Sequence, residues 1–441
     1  MNVSTKIEST TEYVGNAGGL HLAGLVARAF GLATIPSITR SWRDALLSMF
    51  GLLVMGRSSF EEIALFRNDP LFRSSLGLKQ VPAKATIRIY LGLIVRVLGD
   101  TILKAIREAN TFLLSNAKIT PVTTPSQSYI PVDVDVSTMD NSKSHKEGVS
   151  RTYMGTDGYA PIFSYIGAEG YMLDSELRPG SQHSQKGTPE FLERNLAQIE
   201  ALKLRHPILF RLDGGNDAID TIRTLNGKGC FFLIKRNLRK DNIDYWLDVA
   251  TALGKATHPR EGKTVYTGTI TKAHPKAEPG MPELDVVFEV TLRTIDRNGN
   301  QFMLPDIEVE TWWTNLYEEP GTVIALYHDH GTSEQYHSEL KSDMGVERLP
   351  SGKMKVNALV LTLAMFAFNT LRFIGQHALA LPGLLPVVLE TRRKRIRKVI
   401  DDLILIGCKL VWHSRQRTLR IWENNPWLPV FKALHSAFQA L

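Results

Sequence analysis

Residues 129–138 read YIPVDVDVST. Apolar and acidic side chains alternate here, which is the period of a β-strand. Val132, Val134 and Val136 fall on one face, and Asp133 and Asp135 fall on the other. The valine face predicts core packing. Two carboxylates on one face repel each other unless a cation or a hydrogen-bond donor lies between them. An exposed edge strand with outward polar positions carries the same pattern, so the strand alone leaves a site and a plain surface both open.

The segments that follow extend this strand into a sheet. GYAPIFSYIG (158–167) and YMLDSELRP (171–179) predict a hairpin across Ala168–Gly170. A helix follows, with Thr188 as N-cap and Pro189 at its first position. PILFRLD (207–213) is a strand ended by Gly214-Gly215. Asn216 or Asp217 then caps a short helix that stops at Gly227, and CFFLIKR (230–236) is the next strand. A hairpin followed by alternating helices and strands predicts an α/β fold: a mixed sheet flanked by helices. Between 238 and 320 the segments TVYTGTITKA, LDVVFEVTLRTI and QFMLPDIEVETWWTNL read as strands. DRNGNQ (296–301) carries an Asn-Gly turn. This block reads as a β-rich insertion.

The flanks are helical in pattern. Residues 20–118 have helical periodicity, and 58–94 is compatible with helix, turn, helix. There Asp69-Pro70 ends one helix, Gly77 and Pro82 bracket a turn, and Ala83–Leu93 forms the next helix with Lys84 and Arg88. Residues 119–128, rich in Thr, Ser and Pro, read as a linker. Helical patterning returns near 332 and runs to the C-terminus, with breaks at 345–352 and 382–386. The expected division is 1–118 helical and DNA-binding, 129–237 first part of the core, 238–320 insertion, 321–380 second part of the core, and 381–441 basic and helical.

The chain has 441 residues, 43% hydrophobic and 22% charged, as in an ordinary globular protein of two or three domains. Residues 385–441 carry 11 Lys/Arg against 4 Asp/Glu, an excess equal to the +7 of the whole chain. The run TRRKRIRKVI (391–400) suits a phosphate backbone or an anionic surface, or is a solvated helix face. Cys230 and Cys408 have no partner at metal-ligand spacing, which excludes CxxC zinc sites and a disulfide framework and fits a reducing cytoplasm. MNVSTKIESTTEY (1–13) lacks a signal-peptide apolar region. VNALVLTLAMFAFNTL (356–371) contains two Asn and is short for a membrane span, so it reads as a buried helix.

Two more acids stand out. Asp213 ends an apolar strand before two glycines, where ligand sites of α/β sheets gather. Glu334 lies in YHDHGTSEQYHSELK (327–341), in the first turn of a helix starting near Thr332. Lys341, seven residues on, shares its face, as does His337. The histidines of HDH (328–330) have no further ligand nearby to complete a zinc tetrahedron. Oxygen ligands from Asp135, Asp213 and Glu334 suit Mg²⁺ or Mn²⁺.

On DVDVST, the run from GVSRTYMG to KGTPEFL, FRLDGGND and YHDHGTSEQYHSELK, the chain resembles DDE-type insertion-sequence transposases. The branch is one with a ribonuclease H-like core and a β-rich insertion before the catalytic glutamate. The third motif of that family is Tyr, two residues, Arg, three residues, Glu, six residues, Lys. Tyr327, Glu334 and Lys341 match it, and His330 stands in place of the arginine.

The resemblance implies Asp135, Asp213 and Glu334 as catalytic residues holding two Mg²⁺ or Mn²⁺ ions, with Asp133 as the alternative first ligand. It implies DNA contacts from Tyr327, His330 and Lys341. Arg211, Lys235 and Arg236 either touch phosphates or form ordinary ion pairs. Trp312 and Trp313 either hold an unstacked base or are buried. The substrates implied are double-stranded DNA with terminal inverted repeats and a target DNA. The chain would act as a homo-oligomer on DNA in a bacterial cytoplasm, with no membrane. A non-transposing nuclease and an inactive DNA-binding protein are the alternatives on the same fold.

Overall fold

The computed structural model describes residues 10–239, 241–387, 391–414 and 416–441. The reading of the N-terminus as polar falls mostly outside them. The chain forms two compact units. One comprises residues 118–142 and 148–337; the other comprises residues up to 117, 143–147 and 338–441.

The first unit is built on a ten-stranded mixed sheet. Its strands are β1 (Ser128–Val136), β2 (Ile162–Ile166), β3 (Tyr171–Glu176), β4 (Ile208–Leu212), β5 (Phe231–Lys235), β6 (Lys255–Arg260), β7 (Lys263–Lys272), β8 (Leu284–Ile295) and β9 (Gln301–Thr314), with the short strand Val122–Thr123 paired to the start of β1. The order across the sheet is β6-β7-β8-β9-β5-β4-β1-β2-β3. β1 is parallel to β4 and β4 to β5, and the other pairings are antiparallel. The hairpin expected across Ala168–Gly170 is β2–β3. The strands expected from 264 to 316 are β7, β8 and β9, with Gly299 at φ +89° in the turn. They do not stand apart, because β9 pairs with β5 from Leu233↔Thr314 to Lys235↔Trp312 and prolongs the same sheet.

The helices of this unit are α1 (Thr188–Leu202), α2 (Ile219–Gly227), α3 (Ile243–Leu253), α4 (Pro320–His330) and α5 (Thr332–Ser338). Four local expectations need correction. Thr188 is already helical, and its hydroxyl donates back to the Ser184 carbonyl, so Gly187 takes the cap position at φ +77°. Neither Asn216 nor Asp217 caps α2, because both side chains are engaged elsewhere. α3 and β6 were not anticipated, although Asn242 signals α3 by accepting from the Asp244 amide. Helix begins at Pro320 rather than near 332, with Pro in the first turn.

The second unit is largely helical. Its central element, Met354–Leu379, is a 26-residue helix whose most apolar window is 94% buried, as expected of a core helix. Asp69 begins a helix rather than ending one: it accepts from the Leu71 and Phe72 amides and caps Pro70–Ser75. The turn at Gly77 (φ +68°) leads to the helix Lys84–Leu98. The C-terminal region is not all helix. Cys408–His413 and Gln416–Ile421 form a hairpin whose first strand also pairs with Val14–Gly15.

Three residues of the basic run of this unit, Arg393, Lys394 and Arg395, are spent on internal pairing. Arg393 and the buried Arg372 both meet the buried Glu339. Lys394 meets Asp402 at 2.7 Å, and Arg395 meets Asp343 at 2.9 Å. A buried pair that loses one partner leaves an unpaired charge in the core. Arg372→Ala is therefore expected to cost about 3–5 kcal/mol in a denaturant titration. The exposed Lys398→Ala should stay within about 0.5 kcal/mol of the parent.

Candidate active site

The parallel register of β1 and β4 runs from Ile130↔Ile208 to Val134↔Leu212. Asp135 and Asp213 are the next residues on the two strands. Both carboxylates therefore emerge side by side at the carboxyl ends of neighbouring parallel strands, about 4.8 Å apart in backbone spacing. Burial raises the Asp213 carboxyl above the usual range, and the Asp135 charge raises it further. Burial also opposes ionisation of Asp135, but a hydrogen bond from His337 and the nearby His330 hold its carboxyl below the usual range. The pair is thus electrostatically coupled, with one member kept ionised and the other strained by it.

Three contacts shape the pair. The His337 Nε2–H donates to Asp135 Oδ2 at 3.2 Å, and its Nδ1 lies 3.2 Å from the Tyr165 hydroxyl on β2. His337 comes from α5, whose Tyr336 ring lies directly over Gly170 (φ +68°). A Cβ at Gly170 would stand 2.1 Å from that ring. Asn216 Nδ2 donates to Asp213 Oδ1 at 2.7 Å. Gly215 permits this close fold-back, since a Cβ there would press on Ser184 Oγ at 3.0 Å and on the Asp213 carboxylate at 3.1 Å.

Asp133 is committed elsewhere. Arg211 binds both of its oxygens, at 2.6 and 2.8 Å, and His330 Nδ1–H donates to Oδ1 at 2.9 Å. Arg211 also donates to Asp329 and to the Leu326 carbonyl, both at 2.8 Å. Arg211, Lys235 and Arg236 are all ion-paired, the last two with Glu310 and Asp241. Trp312 and Trp313 are fully buried. Trp313 donates to Asp217 at 2.9 Å, so neither ring is open to a base. The HDH triplet disperses: His328 is exposed, Asp329 meets Arg211, and His330 meets Asp133.

Tyr327 on α4 packs on Trp312 at 5.6 Å, and burial together with Asp213 and Asp135 raises its phenol. Tyr153, which drew no notice in the sequence, also senses both aspartates, and its hydroxyl donates to the Val136 carbonyl at 3.3 Å. No periodicity marks it, since it sits at the tip of a short turn.

Glu334 is the exception. It lies in the first turn of α5 with an exposed side chain that has no partner among the described residues. No group of three His, Cys, Asp or Glu side chains among the described residues is placed to hold a metal ion. Lys341 does not share a helical face with Glu334 by a 3.6-residue count, because the chain is π-helical from Glu339 to Asp343. As a donor set, Asp135 and Asp213 fit a divalent cation: two hard oxygens whose repulsion a cation relieves.

Asp213 ionises less readily in the folded chain than in the unfolded one, so folding weakens as pH rises through its raised folded value. Asp213→Asn removes that cost. At pH 7 in chelator the variant should melt higher than the parent, and the gain should vanish below the ordinary aspartate value of about 3.9. An equal or lower melting temperature at pH 7 would show that the two charges are not crowded.

The family model described as transposase DDE domain group 1 matches residues 20–441. No curated protein matches the chain. Among solved structures, the chain is similar to piggyBac transposase in a cryo-EM synaptic complex with hairpin DNA. The identity is 11%, the match covers 88% of this chain and 77% of that chain, and the TM-score is 0.42. With the family match spanning nearly its whole length, the chain belongs to the DDE transposase family, domain group 1.

Proposed function

We propose that the protein is a DNA transposase that cuts at the inverted repeats of its own element and joins the freed 3′-OH to target DNA. The observation that carries the reading is the coupled Asp135–Asp213 pair at the carboxyl ends of β1 and β4, in a member of this family. The strand order β5-β4-β1-β2-β3, with β1 parallel to β4 and antiparallel to β2, supports a ribonuclease H-like core. In this reading the substrate is double-stranded DNA, the acting species is a homo-oligomer on paired ends, and the setting is a bacterial nucleoid.

Asp135 and Asp213 would hold Mg²⁺ or Mn²⁺, and Glu334, exposed and without a partner among the described residues, is proposed as the third ligand. Such an ion supplies Lewis-acid polarisation of the phosphodiester and of the entering oxygen. The chain's own residues do the positioning. His337 keeps Asp135 ionised and aimed, Asn216 orients Asp213, and Asp133 stays out because its oxygens are taken. In the first reaction water adds at phosphorus as the P–O3′ bond breaks. In the second, the 3′-OH adds at a target phosphorus and displaces another 3′-oxygen. His330 stands where an arginine would clamp phosphate, yet it is buried against Asp133, so this chain uses that position to pin β1.

The test is nicking of a duplex that carries the element's ends, with Mg²⁺ or Mn²⁺ and without. Asp135→Asn and Asp213→Asn should abolish nicking while DNA binding persists. Glu334→Gln should do the same, and a fully active Glu334→Gln would remove that residue from the site. Pre-cut ends separate the two reactions: a chain that nicks but never yields insertion products is a nuclease rather than a transposase.

A further inference from the structure

The helical unit contains a cluster of four basic side chains with no acid among them. His21 and Arg28 lie on the helix Leu20–Ala29, Arg417 lies on the hairpin strand Gln416–Ile421, and His435 lies on the C-terminal helix Leu428–Gln439. Arg417 Nη2 donates to His21 Nδ1 at 3.1 Å. An arginine can only donate, so His21 accepts there and carries its proton on Nε2. That proton faces His435 Nδ1 at 3.3 Å. Arg28 donates to the Ser75 carbonyl at 3.1 Å. Among the described residues, neither Arg28 nor Arg417 forms an ion pair with a carboxylate.

The cluster differs from Arg372, Arg393, Lys394 and Arg395 of the same unit, which all have acidic partners. The crowding has a cost. Burial, then the charge of Arg417, pushes the buried His21 down to about 3, and the Arg28 guanidinium is depressed by burial and by Arg417. Guanidiniums without an acidic partner, exposed at Arg28 and half-buried at Arg417, favour an incoming anion, and their planar forks match phosphate oxygens.

A second observation points to the kind of anion. Trp412 stands directly opposite Arg417 across the hairpin. The inner face of this hairpin is buried at Cys408 and Leu410, against Leu71, and it ends at Trp412, which is 59% exposed. An open indole beside a guanidinium with no acidic partner is a surface on which a polynucleotide can place a phosphate and an apolar edge together.

We propose that Arg28 and Arg417, with His21 and His435 behind them and Trp412 alongside, form a docking site for the phosphate backbone of DNA. This rests on the reading of DNA as substrate, and it assigns to the helical unit a contact separate from the aspartate pair. The experiment measures the affinity of the full chain for a short duplex, by fluorescence anisotropy, across a salt series. Arg28→Gln/Arg417→Gln should bind more weakly, with a slope of log K against log salt shallower by about 2, roughly 1 for each phosphate that is no longer neutralised. Without DNA it should melt no lower than the parent, because the removed charges had no acidic partner. Trp412→Ala should weaken binding with the slope unchanged.

An unchanged slope in the double variant overturns the docking site, as does a lowered melting temperature, which would make the pair structural. Selective displacement of the duplex by inorganic phosphate at matched ionic strength would also overturn it, as the mark of a free-anion site. A wild-type chain that nicks DNA while the slope stays unchanged loses only this site. A slope change without metal-dependent nicking leaves the site standing and removes the catalytic reading.

Discussion

Arg211 is fully buried on β4 and is surrounded by acceptors from two neighbouring elements: Asp133 on β1, and Asp329 and the Leu326 carbonyl on α4. Burying a guanidinium is costly unless its donors are matched, and here the matching is close to complete. The Asp133 carboxyl stays below its usual range although burial opposes this, because Arg211 and His330 face it. This one network fixes β1 against β4 and brings α4 to their carboxyl ends. The separation and aim of Asp135 and Asp213 depend on it, because each is two residues beyond a member of the network.

Within that network, the two acids of the first motif have opposite roles. Asp133 is a structural anion that neutralises a buried cation. Asp135 is held by a single histidine, and its side chain retains 22% exposure. The substitution of His330 for the motif's usual arginine fits the same scheme. An imidazole is short enough to close on Asp133 from α4 without competing with Arg211 for the second oxygen. Position 330 thus helps to hold the fold of the site.

Charge in the helical unit is partitioned in a comparable way. The basic run near the C-terminus looks like a nucleic-acid surface by composition, yet Arg393, Lys394 and Arg395 close on Glu339, Asp402 and Asp343. Outside that run, Arg28 and Arg417 have no acidic partner among the described residues and lie together with His21 and His435. Net charge along a chain measures supply; the tertiary pairing decides which part of it faces a ligand.

The sequence by itself determined β1 to β5 and β7 to β9 and their order along the chain, though not β6 or the C-terminal hairpin. Alternation in YIPVDVDVS, the apolar runs ending in Asp213 and Arg236, and the Asn-Gly turn before β9 are local signals, set by side-chain period and turn chemistry. It also determined the family, because the spacing of acids and turn residues is carried by the chain itself. Local capping was less legible. Thr188 and Asn216 are plausible caps by type, but each bonds instead to a residue just before it, Ser184 and Asp213, so residue type alone does not choose between the two local partners. The tertiary structure alone decided that Asp133 is saturated while Asp135 is available, that Trp312 and Trp313 are core residues, and that the β-block prolongs the sheet. The physical reason is the same in each case: which polar group meets which depends on contacts between residues roughly 80 to 200 positions apart, and no local pattern encodes the outcome of that competition.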